Sequence, residues 1–420
     1  MGQISVDELQ SGMVLAADLF GPAGRFLLGK GTVLEDKHIR IAKIWGVTEA
    51  EVEDQDQGGD RTVQDDRYEP EILAQSEVLL SWVFSLSNRS HEAVMELYRI
   101  CTLRLAQEIA SGLALEEGMP DDLSRRFEEI LASSPEVPTA PEDIVTTELE
   151  LASFPDIYFQ VLEVLNDPRS SASTLADVVG KDPSLSVRLL SLVNSPFYGF
   201  PSQIDSISRA IALIGGNELS LLAIGVSVVE YFKDIPEHFL SMRAFWFHSI
   251  TTAVFSRILA GNKPGLSEER LFLGGLIHDI GRLVIAKYFP KAATKAYVIS
   301  LTRPCPLYEA EAEVFGFDHA RVAEMMLHKW NFPSSLEFMV GNHHQPCEFG
   351  NPLEPSIIHV ADFMAHGLNS GVSNISFMPP LFEPAWEELD LPTSILSPAV
   401  NQATRLVSDI YHIFFGDNGP

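Results

Sequence analysis

Cysteine is scarce in this 420-residue chain: three residues, Cys101, Cys305 and Cys347, lie far apart and outside any CxxC spacing. That excludes a disulfide-stapled fold and a thiolate zinc site, and it fits a reducing compartment. Basic residues are also few, 29 against 58 acids, for a net charge of -29. Direct nucleic-acid binding through the phosphate backbone needs clustered Lys and Arg, so it is not expected, nor is attachment to an acidic membrane surface. Uninterrupted apolar stretches long enough for a bilayer are missing too. The longest runs, 271–289 and 210–229, are broken by His278, Asp279 and Arg282 and by Asn217 and Glu218. MGQISVDELQ at the N-terminus has no positive segment ahead of an apolar core, so no secretory signal is visible and the expected location is the cytoplasm.

What the chain does have is 46% hydrophobic residues, ample for a large core. Residues 1–54 alternate apolar and polar side chains around Gly-bearing turns and read as a small β-rich module, with a short helix near 36–45. Residues 55–69 form an acidic linker and 70–133 a helical arm. Lysine is absent between Lys43 and Lys181, and residues 49–150 hold 25 acids against 7 Arg, a balance of -18. This section is expected to be a solvated spacer or a partner-facing arm. A Pro-rich linker, 134–145, precedes a dense helical series over 146–345, and 346–420 continues as a helical extension. The expected fold is mainly α: one all-helical domain, a small β-rich module before it and a helical linker arm.

The most unusual stretch is LFLGGLIHDIGRLVIAK (271–287), which sets His278, Asp279 and Arg282 inside an apolar helical pattern running from Glu268 to Tyr288. Leu271, Gly275, His278 and Arg282 share a stripe, with Asp279 about 100° around the helix. Gly274 and Gly275 would let a neighbouring helix come close. Other ionisable residues occupy similar settings. His248 lies on the face of Phe245, Thr252 and Phe255; His319 follows its cap Asp318; His343 and His344 precede Pro346; Asp362 sits on an apolar helix where a lone carboxylate is costly. Each is compatible with a hydrogen-bonded core residue, and a metal-free scaffold would make the whole set a polar network. Gathered together, imidazoles and carboxylates from several helices suit one or two divalent ions such as Mn, Fe, Ni, Zn or Mg. Such centres hydrolyse phosphate esters, and Arg282 could hold a substrate phosphate.

The segment 148–219, and above all KDPSLSVRLLSLVNSPFYG, resembles the opening of HDOD domains. These are signalling output modules of bacteria within the HD superfamily of metal-dependent phosphohydrolases. The resemblance covers about 143–345, with the Asp362 helix following. It implies that His248 matches the first superfamily histidine, His278 and Asp279 the HD doublet, and Asp362 the final aspartate. Binuclear HD-GYP relatives add histidines at positions similar to His319 and to His343 or His344. Two departures matter. His343-His344 runs into QPCEFGNP, with no HHE…GYP signature, so cyclic di-GMP hydrolysis is not implied. Arg282 stands where HD-GYP enzymes have lysine. ELQSGMVLAADLF, GRFLLGKGTVL and WGV also resemble the module that precedes some HD-GYP domains. The resemblance implies a signal-transduction protein with a signalling protein partner. The alternative it carries is an active phosphohydrolase on a nucleotide or cyclic nucleotide phosphoester, with Asp279 as ligand and proton acceptor and Arg282 on the phosphate.

Overall fold

Helices dominate wherever apolar residues recur at helical spacing. The computed structural model describes residues 2–5, 9, 13–17, 19–20, 26–32, 34, 38–39, 42, 49–52, 68–112, 121–138, 140–143, 156–167, 169–232, 241–346, 351–369 and 377–416. Within the first 52 residues, β1 (Gly2–Ser5) pairs antiparallel with β4 (Glu49–Val52), and β2 (Leu19–Phe20) with β3 (Phe26–Leu28). Leu9, Leu15, Leu19, Leu34, Ala42, Ala50 and Val52 form a small apolar cluster of their own there. The helix expected near 36–45, the acidic linker and Cys347 fall largely or wholly outside the described residues.

One large core unites the rest, from Leu80 to Phe414. It begins with α1 (Pro70–Val83) and α2 (Glu92–Ala110). Helix α2 buries a face of Val94, Leu97, Ile100, Cys101 and Leu105 and packs on two C-terminal helices, α16 (Leu353–Asn369) and α18 (Leu396–Phe415). The helical period of Val94, Leu97, Ile100 and Leu105 marks that face in the sequence; what the charge balance of the segment does not tell is that the face is covered by C-terminal helices. The next helix, α3 (Asp121–Ala132), lies against α12 (Pro290–Thr302), and the Lys295 ammonium donates to the Ser133 carbonyl at 2.5 Å.

The segment 156–232 supplies α4 (Asp156–Asn166), α5 (Ala172–Gly180), α6 (Pro183–Val193), α7 (Ile207–Ile214) and α8 (Gly216–Phe232). Its starts follow local chemistry. Asp182 accepts the Leu185 amide at 3.0 Å with Pro183 at the first helical position, and Ser171 and Thr174 form a capping box. The nearly all-round apolar α8 is buried on most of its surface. Among the described residues, no single helix is long and apolar enough to cross a membrane.

The site-bearing helices are α9 (Met242–Ala260), α10 (Glu268–Ile277), α11 (Ile280–Tyr288), α13 (Leu307–Phe315), α14 (His319–Lys329), α15 (Ser334–Gly341) and α16. The helix expected over 268–288 is two helices, interrupted at His278–Asp279, where Asp279 has φ -98° and ψ 3°. A continuous helix would splay adjacent side chains by about 100°. The interruption leaves the His278 Nε2 and Asp279 Oδ1 atoms 3.5 Å apart. Two glycines set the distances between elements. A Cβ on Gly275 would lie 2.6 Å from Ser256 Oγ and 2.8 Å from Ala253 Cα, so α9 and α10 touch at the backbone. At Gly281 a Cβ would overlap the His319 carbonyl oxygen, so only glycine lets α14 approach α11 this closely.

Candidate metal centre

Five local segments point imidazoles and carboxylates at one place. From α9 comes His248; from the α10–α11 break, His278 and Asp279; from the first turn of α14, His319; from the turn after α15, His343 and His344; from α16, Asp362. All seven residues expected as ligands are therefore brought into one cluster, linked by a chain of short contacts. Asp362 Oδ1 is 2.9 Å from His248 Nε2 and 3.5 Å from His278 Nε2. Asp279 Oδ1 is 3.5 Å from His278 Nε2 and 2.9 Å from His319 Nε2, which lies 3.0 Å from His344 Nε2. His343 stands between the two halves, its ring centroid 5.1 Å from that of His278 and 5.7 Å from that of His319. Arg282 donates to Asp279 Oδ2 at 2.6 Å, so its guanidinium is engaged with the carboxylate of the doublet.

Backbone carbonyls fix two tautomers. The Nδ1–H of His278 donates to Gly275 O at 2.8 Å and that of His343 to Val340 O at 2.7 Å, which turns both Nε2 atoms into the cluster. Those Nε2 atoms have no hydrogen-bond partner among the described residues. His248 Nε2, His278 Nε2, His343 Nε2 and Asp362 Oδ1 are buried without an acceptable hydrogen bond, although His248 and Asp362 are within contact distance. Leaving such a group buried and unsatisfied costs about 1–3 kcal/mol, more if it is charged, so four in one spot call for a shared partner. The 2.9 and 3.5 Å separations of Asp362 Oδ1 from the Nε2 atoms of His248 and His278 are those of ligands around a cation. With ligand bonds of ~2.1 Å, neighbouring donor atoms sit roughly 3.0–3.4 Å apart at octahedral or tetrahedral angles. The donors divide into three groupings, each compact enough for an ion: His319, His343 and His344; His248, His278 and Asp279; His248, Asp362 and His366. The residues present thus fit one or two divalent ions.

The electrostatics favour a cation as well. Burial pushes the His319 ring down, but Glu311 and Asp279 on either side outweigh it and hold the ring up at about 10. A carboxylate pair that retains a proton so strongly would equally stabilise a metal ion. Burial and the neighbouring His278 and His319 push His343 down to about 3, which keeps its lone pair free. Burial raises the carboxyls of Asp279 and Asp362, yet the surrounding imidazoles and, for Asp279, Arg282 hold both well below the usual carboxylate range.

Sequence reasoning missed three participants. Glu311 on α13 accepts from His319 Nδ1 at 2.5 Å and from the His319 amide at 2.9 Å, an arrangement that orients an imidazole ligand and raises its basicity. His359 on α16 donates through Nδ1 to His343 O at 2.8 Å and accepts the Phe382 amide at Nε2, also at 2.8 Å. His366 lies one turn beyond Asp362, its Nε2 3.5 Å from Asp362 Oδ1. Of these, only His366 left a trace in the sequence, the i, i+4 spacing to Asp362.

These features define an all-helical domain built around a buried imidazole–carboxylate cluster. Residues 151–346 match the HDOD domain family, and this part of the chain is an HDOD domain. A structure of an HDOD domain protein with unknown function from Geobacter sulfurreducens covers 70% of this chain and all of its own, with a TM-score of 0.52 at 20% identity. A second, from Marinobacter aquaeolei VT8 and named for a role in signal transduction, covers 70% of this chain and 65% of its own, with a TM-score of 0.52 at 18% identity. At such identities the likeness is one of fold. An uncharacterized protein of Treponema pallidum (strain Nichols) is 21% identical over 215 residues, 50% of this chain and 41% of that protein, so the match spans under half of the curated relative.

Proposed function

We propose that this protein is a signal-transduction component of the bacterial cytoplasm whose HDOD domain holds one or two divalent ions, in a site made by His248, His278, Asp279, His319, His343, His344 and Asp362. One observation carries the reading: four buried donor atoms, on His248, His278, His343 and Asp362, converge without a hydrogen bond among them. Asp279 reaches both His278 and His319, so it would connect two ion positions. When bound, such ions supply charge neutralisation and a lowered pKa for a ligated water. The chain's own residues orient and seal the site: Glu311 and the carbonyls of Gly275 and Val340 set the imidazoles, and Arg282 holds the second oxygen of Asp279. The strand pairs near the N-terminus and α1 to α3 would carry partner contacts for a signalling protein.

A working phosphohydrolase on a nucleotide or cyclic nucleotide phosphoester is the second reading. It is favoured by the open side of the cluster, where His366, Arg282 and His248 keep 23%, 19% and 11% of their side-chain surface exposed. Thermal unfolding with and without added Mn or Fe tests the first reading. Free ion at 100 times its dissociation constant should stabilise the fold by about 2.7 kcal/mol, and an unchanged transition would reject it. Turnover of a nucleotide phosphoester panel tests the second. Activity must be present in the wild type and lost in Asp279→Ala; equal residual rates reject catalysis.

A further inference from the structure

We infer that His366 is a metal ligand, adding a third protein donor on the solvent side of the His248–Asp362 pair. The inference rests on the metal-centre reading above and extends it to a residue outside the expected set. His366 follows Asp362 by four residues on α16, so the two side chains leave the same face of one helix. Its Nε2 lies 3.5 Å from Asp362 Oδ1, while His248 Nε2 approaches the same oxygen at 2.9 Å. The imidazoles of His248 and His366 face each other with ring centroids 4.5 Å apart. All three donor atoms fall within 4.8 Å of one another. Two of the three, His248 Nε2 and Asp362 Oδ1, are buried and have no hydrogen-bond partner.

The chemistry differs from that of the deeper grouping. Among the three side chains His366 is the most exposed, at 23%, against 11% for His248 and 7% for Asp362. Two imidazoles and one carboxylate suit a first-row divalent ion such as Zn or Fe(II), and three protein donors leave positions for water or an incoming oxygen ligand. The deeper grouping, with His319 and His343 buried and His344 half-buried, lies on the far side of His278. His366 is therefore the most exposed donor of its grouping, placed where a phosphate oxygen could reach a bound ion.

The test exchanges the donor atom. Wild type and His366→Cys, matched by circular dichroism, are loaded with one equivalent of Co(II), and the near-ultraviolet absorption is recorded. A thiolate-to-cobalt band in His366→Cys that is missing from wild type, whose own three cysteines serve as the control, is the expected result. No band in a folded, cobalt-loaded variant overturns the inference. His366→Gln gives an independent reading by competition with a chelator: cobalt affinity should fall about tenfold or more, and an unchanged affinity also overturns it. Should wild type take up no cobalt, the failure belongs to the metal-centre reading itself, so the two are separable.

Discussion

His359 joins the cluster to the C-terminal segment through two hydrogen bonds made by one neutral ring. Its Nδ1–H donates to the carbonyl of His343 and its Nε2 accepts the amide of Phe382, each at 2.8 Å, with the residue only 6% exposed. Replacing it by leucine strands a carbonyl and an amide in the interior. Each buried unsatisfied group costs about 1–3 kcal/mol, so His359→Leu should lose about 2–6 kcal/mol. His359→Asn, which keeps a donor near the Nδ1 position, should lose about half as much. Urea unfolding followed by far-ultraviolet circular dichroism measures both. The difference should also depend on pH. Burial lowers the His359 ring below its ordinary value, only partly offset by the His343 carbonyl and Asp362. The unfolded chain then binds more protons than the folded one below about pH 6.5, so the stability due to His359 is present above that pH and is lost as pH falls. The gap between wild type and His359→Leu should narrow on acidification. A His359→Leu protein within about 0.5 kcal/mol of wild type at pH 8 would refute the reasoning.

Gly281→Ala places a methyl group into the His319 carbonyl, 2.9 Å from its carbon and 3.1 Å from Ala323 N, so α11 and α14 must part. The expected loss is about 1–3 kcal/mol, with weaker ion binding through the displaced His319; wild-type stability and affinity together would contradict the close approach. Chelator-treated protein should lose stability as pH falls from about 6.5 toward 4. Burial holds His366 down at about 4 and His343 at about 3, and both must gain protons that the unfolded chain binds more readily. A thermal unfolding series that stays flat across that window would rule this out. On the alkaline side the sign reverses. His319, held up at about 10, contributes stability that is complete below about pH 6.5 and disappears as pH rises through 10, a loss that His319→Gln should remove.

Helical periodicity made the architecture legible, because capping signals such as Asp182-Pro183 and Asp318 mark starts that need no tertiary context. The candidate ligands were legible for a different reason: His278, Asp279 and Asp362 are ionisable residues inside apolar patterns, and burial makes such residues conspicuous. The break between α10 and α11 was not, since neither proline nor a polar run marks it. Glu311 was hidden because its link to His319 crosses the α13–α14 turn, and nothing in an exposed-looking EAEAEVF pattern says which acid turns inward. His359 was hidden likewise, its partners lying 16 and 23 residues away. The apolar stripe of α2 was legible in its period, but its partner α16 was not, because about 250 residues separate the two helices in the chain.

Metal content decides the central claim. Protein purified without a chelating tag, then reconstituted with Mn or Fe and dialysed, should retain about one equivalent or more by elemental analysis, and should lose it in His278→Ala and Asp362→Ala variants that remain folded. Retention below about a tenth of an equivalent in the wild type would contradict the account and leave a helical scaffold with a polar core.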